Sequence, residues 1–100
     1  MAEFKTLWES KNHKIYTLIF EYNGRKFRIY CEHTNGAPLG FNYKCCLDVM
    51  KPDGTFAHVV DNNMVEVNWK NEYCSVGDSR RKENNEIAIK AFKEFVEKIY

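Results

Sequence analysis

The chain has 100 residues, 15 Lys and Arg against 14 Asp and Glu, and a formal net charge of +1. This length gives one domain with its own core and no room for a second. The charge is too small for a strongly phosphate-driven binder, and no apolar run approaches the roughly 18–20 residues of a membrane span.

The first residues, Met1 to Lys5, carry no apolar segment of a secretory signal. A cytoplasmic, non-membrane protein is expected, with Cys31, Cys45, Cys46 and Cys74 reduced. Residues 4–9 are a candidate short strand of poor alternation. The first clear elements are strands at about 14–22 and 25–32, joined at Asn23-Gly24. Asn-Gly supplies the two left-handed positions of a type I′ turn, which fixes the register of the hairpin. Phe20 then faces Phe27, Leu18 faces Ile29 and Tyr16 faces Cys31. That whole side is apolar or aromatic and must be the core face. The other side carries Ile15, Thr17, Ile19, Glu21, Lys26, Arg28, Tyr30 and Glu32. A slip of one residue would turn the apolar set to water.

His33 to Gly40 is rich in turn formers and reads as a loop. A strand follows at about 41–50, then a turn at Lys51-Pro52-Asp53-Gly54, where Pro presets the first corner and Gly takes the left-handed one. A three-residue loop there places Met50 opposite Phe56, Val49 opposite Ala57 and Asp48 opposite His58. Strands are expected at about 55–60 and 64–73, separated by Asp61-Asn62-Asn63. Residues 75–85 read as a polar connection containing Arg80-Arg81-Lys82. From about 83 to 99 the period turns helical, with Ala88, Ala91, Phe92, Phe95, Val96 and Ile99 on one stripe. A helix of this length is marginal alone in water, so the stripe must dock, and the aromatic face of the first hairpin is its natural partner. The expected fold is α+β: an antiparallel meander of about five strands with one C-terminal helix on a sheet face.

No catalytic or cofactor motif is present. Cys31, His33, Cys45, Cys74 and His58 are potential zinc ligands by type. They lack the spacings of zinc modules, and Cys31 falls among core residues, so neither metal nor cofactor is expected. Asp48, His58 and Cys46 share a strand face and suggest a Cys–His–Asp arrangement, for which an ordinary cross-strand pair is the simpler explanation. Arg80-Arg81-Lys82 can grip an acidic partner, but the run is shorter than the usual basic patches and is flanked by Asp78 and Glu83. The outward face of the first hairpin is more distinctive. Ile15, Ile19 and Tyr30 lie beside Lys26 and Arg28, the composition of a binding patch, unless the N-terminal segment folds back to cover it.

These features favour a small non-enzymatic domain that binds a larger protein partner as a regulator or inhibitor. The partner-binding candidates are Ile15, Ile19, Lys26, Arg28, Tyr30, Arg80, Arg81 and Lys82. Inhibitors made by phages and mobile elements against host defence are a class-level analogy carried by size alone. The alternative is single-stranded nucleic-acid or nucleotide binding, with Tyr30 and Tyr43 stacking bases while Arg28 and Lys26 track phosphates. An exposed edge strand would also permit a homodimer.

Overall fold

The computed structural model describes residues 3–12, 15–36, 40–61 and 78–100. It is an α+β arrangement: one five-stranded antiparallel sheet in the order β1-β2-β3-β4-β5, followed by a single helix. The strands are β1 (Lys5–Lys11), β2 (Ile15–Tyr22), β3 (Arg25–Gly36), β4 (Gly40–Met50) and β5 (Phe56–Asp61), and the helix is α1 (Asp78–Ile99). The strand expected at 64–73 lies outside the described residues. The candidate strand at 4–9 is real and takes the edge beside β2. No described helix is long and apolar enough to cross a membrane.

The β2–β3 hairpin has the register dictated by its corner, from Tyr22 opposite Arg25 to Ile15 opposite Glu32. Asn23 and Gly24 both adopt positive φ, 51° and 76°, as a type I′ turn requires. At the second corner Gly54 has φ 87°. The Gly54 N–H donates to the Lys51 carbonyl at 2.9 Å and the Lys51 N–H to the Thr55 carbonyl at 2.7 Å. Met50 is paired with Phe56, Val49 with Ala57 and Asp48 with His58, as the Pro-Asp-Gly turn implies.

Three features differ from the sequence reading. Residues 33–36 continue the ladder instead of forming a loop, with His33 opposite Tyr43 and Gly36 opposite Gly40. Pairing along two long strands outweighs the local turn propensity of Thr, Asn and Gly. The helix starts at Asp78, so Arg80, Arg81 and Lys82 are helical and not part of a connecting loop. Asp78 and Ser79 are residue types that favour helix starts, and this polar segment carries no apolar stripe to reveal it. Finally, Ile99 is 63% exposed. The buried row on α1 is Asn84, Ala88, Phe92 and Val96, an i, i+4 line that continues to the half-buried Tyr100.

Two register shifts bend the sheet. In β1 the ladder moves from Thr6–Phe20 to Trp8–Ile19, leaving Leu7 as the extra residue, which accounts for the poor alternation of this segment. In β5 it moves from Asp48–His58 to Leu47–Val60, leaving Val59 over. A bulge of this kind breaks the strict alternation of faces.

The core lies on one side of the sheet. Tyr16, Leu18, Phe20, Phe27, Ile29, Cys31, Cys45, Leu47 and Val60 form one buried cluster with Ala88, Phe92 and Val96 of α1. Phe20 and Phe27 stack across the hairpin with centroids 5.4 Å apart. The Tyr100 ring meets Phe27 edge-on at 5.1 Å. The Lys93 ammonium sits 5.2 Å from the Phe4 ring centre and 5.6 Å from that of Phe20, burying its aliphatic stem and leaving a cationic head over the rings. Cys31 and Cys45 are opposite one another in the ladder and both are buried. Burial first, then the Cys31 neighbour, pushes the Cys45 thiol far above its ordinary range. Both therefore serve as small apolar residues.

Candidate functional site

Since successive strand residues alternate, burying one set leaves the other on the opposite, outer face. The pairings carry a row across the whole outer face: Trp8 beside Ile19, Ile19 beside Arg28, Arg28 beside Asp48, and Asp48 beside His58. The next row is Ser10, Thr17, Tyr30, Cys46 and Asp61. Five sequence candidates, Ile15, Ile19, Lys26, Arg28 and Tyr30, are thus brought together on β2 and β3. Arg80, Arg81 and Lys82 are not part of this face. They occupy the start of α1, whose described core residues pack on the inner face.

The N-terminal segment does not fold over the patch. It extends the sheet sideways as β1, which leaves Trp8 52% exposed. Ile15, Ile19 and Tyr30 are half-buried by their neighbours within the face. Burial first, then the Glu32 carboxylate, raises the Tyr30 hydroxyl above the ordinary tyrosine range, so it stays a neutral hydrogen-bonding group.

At the centre lies an ion pair that composition alone does not reveal. The Arg28 Nε and Nη2 both donate to Asp48 Oδ2, at 3.0 and 2.8 Å. The Asp48 side chain is only 8% exposed, that of Arg28 39%. A carboxylate this enclosed needs its partner, because an unpaired buried charge is costly. The guanidinium also lies 4.4 Å from the Phe56 ring centre. Arg28 is therefore held between a carboxylate and an aromatic face, with its planar donors pre-oriented.

The other Asp48 oxygen, Oδ1, is 3.6 Å from His58 Nδ1, and His58 Nε2 is 4.0 Å from Asp61 Oδ2. His58 and Asp61 are three apart and would leave a regular strand on opposite sides. The bulge at Val59 turns both outward. Cys46 adjoins this group. Burial first, then the Asp48 carboxylate, pushes its thiol up to about 11, with Arg28 opposing. A thiol so placed is protonated at neutral pH and a weak nucleophile.

Of the potential metal ligands considered from sequence, Cys31 and Cys45 point to the core and His58 to the outer face, so that set is not assembled. His33 and Tyr43 lie opposite one another in the β3–β4 ladder, and Cys74 lies outside the described residues. Asp48, Phe56, His58 and Trp8 are the outer-face residues that sequence reasoning did not include in the patch. The only available signal was the Asp48–His58 pairing forced by the Pro52-Asp53-Gly54 turn.

Comparison with known proteins returns no match: no family model fits the chain, and no curated protein or solved structure is significantly similar.

Proposed function

We propose that the protein is a small non-enzymatic binding domain whose outer sheet face docks on a larger protein partner, acting as its regulator or inhibitor. The observation that carries this reading is the grouping of an exposed Trp8 with Ile19 and Tyr30 around an Arg28 already fixed by Asp48 and Phe56. Tryptophan, tyrosine and arginine dominate the energetics of protein interfaces. A side chain ordered before binding loses less entropy on docking. The protonated Cys46 thiol supports recognition over covalent catalysis.

The same face has one feature of a single-strand nucleic-acid platform, since it carries Tyr30 two residues along β3 from Arg28 and Trp8 two strands away, beyond Ile19. Against it stand the neutralisation of Arg28 by Asp48 and a net charge of +1.

The test is capture from lysate with the full chain as bait, beside a Trp8→Ala/Tyr30→Ala variant of unchanged thermal melt, followed by reconstitution with the purified partner. A stoichiometric protein lost by the double variant is the expected result. Equal capture by both baits overturns the reading. Salt-dependent binding of an oligonucleotide by the wild type alone replaces it with the nucleic-acid reading.

A further inference from the structure

We propose that Cys46, Asp48 and His58 form a binding site for a divalent transition-metal ion of the zinc class, with Asp61 as the positioning residue for His58. The site is independent of the docking reading, and either can fail alone.

The geometry comes first. One sulfur, one carboxylate oxygen and one imidazole nitrogen lie within 4.8 Å of one another. Zinc bonds of about 2.0–2.3 Å arranged tetrahedrally place neighbouring ligand atoms ~3.3–3.8 Å apart. The Asp48 Oδ1 to His58 Nδ1 separation of 3.6 Å already falls in that range. The sulfur edges need at most about an ångström of closure toward those ~3.3–3.8 Å tetrahedral edges, which small side-chain rotations supply.

The supporting groups fit the same purpose. Cys46 and Asp48 leave β4 on one side two residues apart, and His58 stands opposite Asp48 on β5. Ligands rooted in paired strands are better fixed than ligands on loops. Arg28 takes Asp48 Oδ2 with two donors, directing Oδ1 toward His58. Asp61 stands 4.0 Å from the far nitrogen of His58, about 1 Å beyond hydrogen-bond length, a gap that a side-chain rotation closes when the histidine ligates. A carboxylate behind a ligating histidine fixes its tautomer and ring orientation. The Val59 bulge is what brings Asp61 to that side.

Charge agrees with a divalent ion. As the metal–sulfur bond forms, the Cys46 thiol loses its proton to solvent. The thiolate, Asp48 and Asp61 then carry three negative charges against one positive charge on Arg28, and a dication balances the remainder. Mixed sulfur, nitrogen and oxygen donors suit zinc and its neighbours and disfavour hard cations such as calcium or magnesium. His58, with its side chain 56% exposed, leaves a path for the ion from solvent. Water takes the fourth position in the isolated protein.

A simpler arrangement uses the same atoms: the His58 ring held between the Asp48 and Asp61 carboxylates, with no part for Cys46. Cobalt titration separates the two. The full chain should bind one Co2+ with a sulfur-to-cobalt charge-transfer band and the visible bands of a tetrahedral ion, both bleached by Zn2+. Cys46→Ser and His58→Ala should abolish the charge-transfer band, and Asp61→Asn should weaken binding about tenfold or more. No stoichiometric binding at micromolar Co2+, or binding unchanged in Cys46→Ser, overturns the proposal. Should either variant fail to fold, X-ray absorption of the zinc-loaded wild type decides instead. One sulfur with nitrogen and oxygen neighbours supports the site, and a shell without sulfur refutes it.

Discussion

Replacing Phe92 with alanine tests whether α1 closes the core. The ring is fully buried in the cluster that contains Phe20, Phe27 and Ile29. Truncation to a methyl removes on the order of 150 Å² of apolar burial, or ~4 kcal/mol at about 25 cal/mol per Å². The residual cavity adds to the loss and relaxation of neighbours reduces it, so the expected cost is about 3–5 kcal/mol. For a chain of this size that lowers the melting temperature by roughly 15–30 °C. Ile99, exposed at the end of the same helix, is the internal control, and Ile99→Ala should change stability by less than about 0.5 kcal/mol. Thermal melts followed by circular dichroism give both values. Equal melts for the two variants would show that residues 78–99 do not cover the inner face.

The Arg28–Asp48 pair should be asymmetric to mutation. Arg28→Ala strands a nearly buried carboxylate and should cost about 2–3 kcal/mol, whereas Asp48→Ala releases a partly exposed guanidinium to water and should cost about 1 kcal/mol. Denaturant titrations showing the reverse order would contradict the burial argument. Arg28→Ala is for this reason a poor probe of binding, and Trp8→Ala or Tyr30→Ala is cleaner. Gly24→Ala should cost about 1–2 kcal/mol purely through its positive φ, since a Cβ there meets nothing within 4 Å; a neutral substitution would refute the type I′ corner. In a Cys74→Ser background at pH 8, Cys46 should react with a disulfide reagent about tenfold more slowly than an ordinary thiol, because its much smaller thiolate fraction is only partly offset by the greater nucleophilicity of a more basic thiolate. The rate should climb with pH until about 11. A reaction as fast as that of a free cysteine would remove the environment assigned to it.

The parts of the fold governed by short-range geometry were readable from the residues. Asn23-Gly24 allows one register, and that register sorts Phe20, Phe27, Leu18 and Ile29 from Ile19, Arg28 and Tyr30 without further information. Pro52-Asp53-Gly54 likewise sets Met50 opposite Phe56. What no turn motif marks was not readable. Residues 33–40 read as a loop, which left β3 without a register against β4, so Asp48 could not be placed beside Arg28. The extra residue in β5 falls in a Val59-Val60 step that gives no sign of a bulge, and without it Asp61 cannot be put on the face of His58. The polar start of α1 was hidden because helical periodicity shows only where an apolar stripe is buried, and Asp78 to Lys82 has none.

The division of labour between the two sheet faces is tested most directly by hydroxyl-radical footprinting of the complex with its captured partner. Trp8 and Tyr30 should lose labelling on binding while Ile87 and Ile99, exposed on the helix, are labelled as in the free protein. Protection of the helix residues with Trp8 and Tyr30 unchanged would contradict the account.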